Sequence, residues 1–133
     1  LSIGSIKGYE INIHLYSLAY PLDLDTICSV AMRGLDGVVY VVHSQMDKME
    51  ENISTLKEIK KRLTQEGNNI KTLPQVLQYN KRDLEDCMPL DIMSRYLNGD
   101  GHPEQEAVAS KSIGTMETLV TITKGILGRL TPQ

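Results

Sequence analysis

The stretch 74–83, PQVLQYNKRD, joins a short and largely apolar run to a polar cluster with fixed spacing. Residues 74–79 predict a strand that begins at its proline and runs into Asn80. At its end, Asn80, Lys81 and Asp83 form an N-K-x-D pattern. In open α/β sheets, ligands bind beyond the carboxyl ends of the strands. The stretch therefore predicts a core strand followed by a binding loop.

Two elements before this stretch predict most of the remaining core. Residues 37–43, GVVYVVH, form a continuous β-branched and aromatic run, typical of a strand inside a parallel sheet with both faces covered. Residues 47–67 predict a long helix, because apolar residues recur every three or four positions with Lys and Glu between them. The apolar positions of this helix are Met49, Ile53, Leu56, Ile59 and Leu63. We expect Ser44 or Asp47 to cap its start, and Gly67 stands where a C′ glycine belongs.

The other segments alternate between strand and helix patterns. Residues 1–6 and 9–17 predict an antiparallel hairpin with a turn at Lys7 and Gly8. Four further elements follow in chain order: a helix over 24–33 that Gly34 stops, a short helix over 89–97, a brief strand over 106–109 and a closing amphipathic helix over 114–130. This alternation predicts one α/β layered domain with right-handed crossovers.

Composition argues against several classes of protein. The chain of 133 residues has the length of a single domain, and its net charge of −3 argues against a nucleic-acid or membrane-surface footprint. No apolar run approaches the roughly 18 residues that a membrane-spanning helix needs, and residues 1–10 lack the features of a signal peptide. We expect further residues upstream of Leu1, because Leu1 already lies in a strand-like segment.

The cysteines and histidines give no metal-binding pattern. Cys28 and Cys87 are far apart in the sequence, which favours free thiols in a reduced cytoplasmic protein over a disulfide. The histidines share no ligand-like spacing, so no metal site is expected. They are His14, His43 and His102. We interpret His102 as solvated, because it follows a Gly-rich turn.

The N-K-x-D cluster has a specific chemical interpretation. The Asp83 carboxylate can accept hydrogen bonds from both N1 and the exocyclic amino group of guanine, whereas adenine offers neither donor there. Asn80 can bind the base edge and tether neighbouring loops, and the stem of Lys81 can cover the base plane. A second loop, VASKS at 108–112, follows the next strand and offers backbone amides to the same base. The alternative is a polar turn with a helix cap, but the position after a core strand favours a guanine site.

Four longer stretches resemble one known family. They are GYEINIHLYS at 8–17, RGLDGVVYVVHSQMDKMEENISTLKEI at 33–59, LPQVLQYNKRDL at 73–84 and EQEAVASKSIGTMETL at 104–119. Together they resemble a Ras-like small GTPase of the bacterial mutual gliding-motility (MglA) type, from its third strand to its final helix. The resemblance covers essentially the whole chain. It implies an α/β three-layer P-loop NTPase fold, the Ras-like G domain, with helices on both faces of the sheet.

The resemblance also implies a ligand and the residues that bind it. The ligand would be GTP or GDP, held at the base by Asn80, Lys81, Asp83, Ala109, Ser110 and Lys111. The first strand, phosphate loop and first helix of the family would all precede Leu1, and no stretch of the sequence has the pattern G-x-x-x-x-G-K-[ST]. We therefore expect Mg²⁺ only if a phosphate loop lies upstream.

The chain departs from the family after the third strand. The family has a T-V-P-G-Q-like segment there, whose Gly contacts the γ-phosphate and whose Gln orients water. The aligned residues are Ser17, Leu18, Ala19, Tyr20 and Pro21. A side chain at Tyr20 obstructs close approach of the backbone, and Pro21 has neither an N–H nor an amide that positions water. Ser17, Tyr20 and Pro21 thus predict a degenerate switch.

Three functional hypotheses follow from the sequence. In the first, the chain is a diverged pseudo-GTPase that acts as a switch or scaffold in cell polarity and motility through protein contacts. The resemblance implies a roadblock-fold regulator as its partner, on the hairpin and switch face at residues 1–22. In the second, it is an active GTPase whose phosphate loop lies upstream of Leu1. In the third, it is a structural module in which Asn80 and Asp83 only hold loops together.

Overall fold

The computed structural model describes residues 2–6, 8–17 and 30–130, and the chain divides into two compact units, residues 1–31 and 32–133. The first unit contains the predicted antiparallel hairpin, formed by β1 (Ser2–Ile6) and β2 (Tyr9–Asn12). Gly8 lies in the turn with a φ of 82°, a conformation that glycine adopts at little cost.

The predicted strand over residues 9–17 is too long. The hairpin ladder ends where Ser2 pairs with Asn12, and residues 13–17 are in no strand. Most of the predicted helix over 24–33 lies outside the described residues. The chain is helical at residues 30–32, and Gly34 follows with a φ of 61°.

The second unit is built on a parallel sheet, as the alternating pattern predicts. Its strands, in the spatial order β3-β4-β5, are β3 (Val38–His43), β4 (Gln75–Asn80) and β5 (Glu104–Glu106). Its helices are α1 (Met49–Gln65), α2 (Leu90–Leu97) and α3 (Thr115–Leu130). Five predictions are confirmed to within two residues at each end: the helices over 47–67, 89–97 and 114–130 and the strands over 37–43 and 74–79.

The helices lie on both faces of the sheet. On β4, Gln78 Nε2 donates a buried hydrogen bond of 2.8 Å to Thr118 Oγ1 of α3. Gln78 pairs with Val41 of β3, so both side chains lie on the same face of the sheet. Tyr40 precedes Val41 in β3 and points to the opposite face, because side chains alternate along a strand. Lys60 Nζ of α1 lies 5.8 Å from the centroid of the Tyr40 ring. Helices α1 and α3 therefore cover opposite faces of the sheet.

Helix α1 ends as predicted but begins differently. The Asn68 N–H donates to Leu63 O (3.0 Å) and the Gly67 N–H to Thr64 O (3.1 Å), which is the Schellman arrangement, and Gly67 has a φ of 94°. The expected caps at Ser44 and Asp47 are wrong. A 3-10 turn, Met46–Lys48, leads into the helix. The N-cap residue of α1 is Lys48, which makes no side-chain cap hydrogen bond.

The turn after α2 corrects the interpretation of His102 as solvated. Asn98 closes the turn, since its Nδ2 donates to His102 O (2.7 Å) and its Oδ1 accepts from the His102 N–H (2.8 Å). The His102 side chain is 19% exposed, and its Nε2 has no hydrogen-bond partner among the described residues. Burial lowers the pKa of His102, nearby Lys60 lowers it further, and Asp100 partly opposes them.

We predict that this histidine makes stability depend on pH. Its folded-state pKa lies below the value in the unfolded chain, so the unfolded state takes up the proton first as the pH falls. The free energy of unfolding should therefore decrease as the pH falls from about 7 towards 5, around the ordinary histidine pKa of about 6.5.

Urea unfolding at several pH values measures the slope of the unfolding free energy against pH. His102→Gln should flatten the slope relative to wild type, and His14→Gln, which removes an exposed imidazole, is the matched control. An unchanged slope in His102→Gln would contradict the assignment.

Candidate functional site

The candidate site is built where β4 ends and the chain enters the N-K-x-D loop. Asn80 is the last residue of β4, and its Oδ1 accepts a hydrogen bond of 2.9 Å from the Ala109 N–H. Ala109 begins the 3-10 turn Ala109–Lys111, which follows β5. This hydrogen bond brings together the two loops that the sequence proposes for one base, and it is the loop tether expected of Asn80.

Lys81 adopts a conformation that is unusual for a residue with a side chain. Its φ is 64°, in the left-handed region, which costs roughly 1–2 kcal/mol for an L-residue. Its carbonyl oxygen accepts from the Leu84 N–H (3.2 Å) and from Cys87 Sγ (3.2 Å). Cys87 is a free thiol, whereas Cys28 lies outside the described residues. These hydrogen bonds hold the backbone in its left-handed turn and leave the Lys81 side chain exposed.

Asp83 faces the second loop. Its Oδ2 lies 3.9 Å from Lys111 Nζ, and the two side chains are 36% and 63% exposed. An ion pair this long and this exposed contributes at most about 1 kcal/mol. The Asp83 carboxylate is therefore accessible to a ligand that donates hydrogen bonds.

The second loop corrects the predicted strand over residues 106–109. Strand β5 ends at Glu106, and Val108 forms an isolated antiparallel bridge with Ile113, through backbone hydrogen bonds of 2.9 and 3.1 Å. The bridge turns the chain back on itself, so Ala109, Ser110 and Lys111 lie exposed at the tip of a loop beside Asn80. The structure thus brings together all the residues predicted to bind the base.

Gly114 is a conformationally constrained position beside the site that sequence reasoning missed. Its φ is 79°, and a side-chain Cβ at this position would clash with Glu106 O and lie 2.9 Å from the Ala107 Cα. Only glycine therefore allows the chain to pass the end of β5 at this distance. The sequence signal was a glycine two residues after the VASKS loop, at the start of the predicted helix over 114–130.

Arg82, the variable position of the motif, was also missed. Its side chain is only 17% exposed, while Lys81 and Asp83 on either side are exposed. Its backbone N–H donates to Ala107 O (3.2 Å), so the N-K-x-D loop and the end of β5 are joined here as well.

A third segment supports the site from the side of β3. The Ser44 N–H donates to Asn80 O (3.1 Å), and Ser44 O accepts from the Met88 N–H (2.7 Å). Ser44 is fully buried, and its hydroxyl has no hydrogen-bond partner among the described residues. The end of β3 thus connects Asn80 to the segment that follows the N-K-x-D loop.

The predicted switch comprises Ser17, Tyr20 and Pro21. Ser17 is exposed and lies outside any strand or helix, and Tyr20 and Pro21 lie outside the described residues. Within residues 2–6, 8–17 and 30–130, no group of three or more His, Cys, Asp or Glu side chains could hold a metal ion. In the same part of the chain, no helix is long and apolar enough to cross a membrane.

The arrangement has the chemistry to bind a planar base with adjacent donors. Asp83 offers two acceptor oxygens, the Lys81 stem offers an apolar surface, and the exposed turn Ala109–Lys111 faces the same loop. These residues fit a guanine base. The donor set that a magnesium ion needs is not found among them.

We predict that Gly114→Ala disrupts the second loop. The added Cβ would meet the Glu106 carbonyl, and the left-handed φ is unfavourable as well, so unfolding free energy should fall by at least about 2 kcal/mol. Gly128→Ala is the matched control, since Gly128 lies in α3 with nothing within 4 Å of its Cβ and no positive φ. It should be neutral or stabilising by up to about 1 kcal/mol. Urea unfolding compares the two, and equal stability would contradict the close approach at Gly114.

Comparison with known proteins gives one clear relative. No family model matches the chain. The chain is 35% identical over 130 residues to the mutual gliding-motility protein MglA of Myxococcus xanthus (strain DK1622), an alignment that covers 98% of this chain and 67% of the relative. Identity at this level over two thirds of the relative shows a shared fold, which agrees with the parallel sheet and its helices on both faces. The chain therefore belongs to the family of MglA-like small GTPases, which have the Ras-like P-loop fold.

Proposed function

We propose that this chain binds guanine nucleotides and acts through protein contacts as a switch or scaffold in bacterial gliding motility and cell polarity. The observation that carries the proposal is the hydrogen bond from Ala109 N–H to Asn80 Oδ1, which places both predicted base-binding loops side by side. The motility role rests on the relative, which is a mutual gliding-motility protein by name.

Guanine recognition rests on Asp83 in this proposal. Its two oxygens accept from guanine N1–H and from the exocyclic amino group, while adenine leaves the carboxylate unpaired. Lys81 covers one face of the base, and Asn80 holds the turn Ala109–Lys111 against its edge. The Ala109 N–H donates to Asn80 Oδ1 and the Lys111 N–H to Val108 O, so the Ser110 N–H of that turn supports the base oxygen. Each of these groups is exposed or partly exposed before binding.

We propose that GTP hydrolysis by this chain is weak or lost. Tyr20 and Pro21 stand where relatives carry the glycine that contacts the γ-phosphate and the glutamine that orients water. Proline cannot supply the amide of glutamine, and tyrosine cannot match the backbone approach of glycine. Mg²⁺ enters only together with nucleotide phosphates, as is general for small GTPases.

Protein contacts are proposed for the hairpin and switch face at residues 1–22, with a roadblock-fold regulator as the partner that the family resemblance suggests. The hairpin presents β1 and β2 with exposed residues such as Leu15 and Tyr16 after them, each 69% exposed. A cytoplasmic location belongs to the same proposal.

We predict that Asp83→Asn weakens GDP binding at least tenfold. Asparagine offers one acceptor and one donor, so one of the two guanine donors loses its partner, and a lost hydrogen bond to a charged group costs about 1.5–3 kcal/mol. The same substitution matches xanthine, which carries an acceptor where guanine carries the amino group, so the preference should shift towards XDP. Isothermal titration calorimetry with GDP and XDP measures both effects.

Asp36→Asn is the matched control, because Asp36 is an exposed carboxylate away from the N-K-x-D loop. It should leave GDP affinity unchanged. Equal GDP affinity for wild type and Asp83→Asn would show that Asp83 does not recognise guanine. Absence of binding by both would leave the third hypothesis, a structural module.

An active GTPase is the second candidate, and family membership favours it. We predict that phosphate release from GTP by the purified protein stays at the level of an Asp83→Asn control, because the positions of Tyr20 and Pro21 lack the hydrolytic groups. Single-turnover phosphate release measures the rate. Release well above that control would overturn the pseudo-GTPase and establish the active enzyme.

A further inference from the structure

Arg82 has contacts that its position in the motif does not require. It lies between Lys81 and Asp83, yet its guanidinium points back into the protein. Nη1 donates to Met88 O (2.7 Å) and lies 3.7 Å from Met93 Sδ, and Nε donates to Glu106 Oε1 (3.2 Å). One side chain therefore contacts three separate segments.

These three segments surround the N-K-x-D loop. Met88 follows the loop, Met93 lies in α2 and Glu106 is the last residue of β5. The Arg82 N–H adds a bond to Ala107 O, so backbone and side chain both join the loop to β5. The planar guanidinium suits this task, because its donors point in fixed directions to a carbonyl and a carboxylate at once.

The contacts of Arg82 differ in strength. Glu106 is 53% exposed, so water screens its ion pair with Arg82 and its contribution is small. The hydrogen bond to Met88 O is part-buried and has a charged donor, so it is the stronger contact. Removing the Glu106 charge should therefore matter less than removing the guanidinium.

We propose that Arg82 is a positioning residue for the guanine base. Its guanidinium fixes the backbone on which Lys81 and Asp83 are mounted, including the left-handed φ of Lys81, and so holds the Asp83 carboxylate in place before the base arrives. Preorganisation of this kind raises affinity, since the loop does not lose freedom on binding. This inference rests on the proposed guanine binding.

The test compares Arg82→Met and Arg82→Lys with wild type at a temperature where circular dichroism shows each variant folded. Arg82→Met should weaken GDP binding about tenfold or more, mainly through faster dissociation. Arg82→Lys should restore part of the loss, because lysine keeps the charge but not the fork. Glu106→Gln should change affinity less than threefold. Arg33→Met is the control, since Arg33 makes an exposed ion pair with Glu66 in another part of the chain.

Selectivity between GDP and IDP separates positioning from a purely structural role. Inosine lacks the exocyclic amino group, so the GDP preference reports the second hydrogen bond to Asp83. Arg82→Met should reduce the ratio of the IDP and GDP dissociation constants towards one. A variant that is only less stable keeps the wild-type ratio once it is folded. An unchanged affinity and an unchanged GDP to IDP ratio in Arg82→Met would overturn the proposal. If Arg82→Met does not fold, the same two measurements on Arg82→Lys decide.

Amide hydrogen exchange distinguishes failure of this inference from failure of guanine binding. If wild type binds no GDP, the proposed function fails, but Arg82→Met should still speed exchange of the Ala109 N–H, which Asn80 protects. Exchange of Val42 in the buried part of β3 is the internal reference. Unchanged exchange at Ala109 in a folded Arg82 variant would show that the guanidinium does not position the loops.

Discussion

A single backbone-to-side-chain hydrogen bond determines the geometry of the candidate site. The Ala109 N–H lies in an exposed turn and donates to Asn80 Oδ1, which ties that turn to the end of β4. Asn80 is in turn fixed by the sheet, because it pairs with His43 of β3 and its carbonyl oxygen accepts from the Ser44 N–H. The position of the second loop is therefore set by the end of the central strand.

The central strand, β4, can hold this position because both of its faces are tightly packed. Val76, Leu77 and Tyr79 are at most 1% exposed, and a buried strand with this degree of packing moves little. The two buried glutamines of the strand donate hydrogen bonds within the protein. Gln75 Nε2 donates to Ile70 O (2.7 Å), and Gln78 donates to Thr118 of α3. Apolar packing and buried hydrogen bonds together fix the point from which the N-K-x-D loop departs.

Elements that neighbouring residues determine could be predicted from the sequence, whereas features that depend on contacts between distant residues could not. Strand β4 and helices α1 and α3 follow from patterns of neighbouring residues, so their bounds were predicted closely. The strand over 106–109 was wrong, because its end depends on the bridge between Val108 and Ile113 and on the close approach at Gly114. The contacts of Arg82 could not be predicted for the same reason. Its partners Met88 and Glu106 lie 6 and 24 residues away in the sequence.

The two outer strands of the parallel sheet differ in how they would meet another strand. Strand β5 has three residues, Glu104, Gln105 and Glu106, and two copies brought edge to edge would place carboxylates against one another. Short and charged strands resist such association. Strand β3 is apolar, and its Val41 is 57% exposed. The length and charge of β5 therefore oppose the addition of another strand, whereas the apolar residues of β3 present neither barrier.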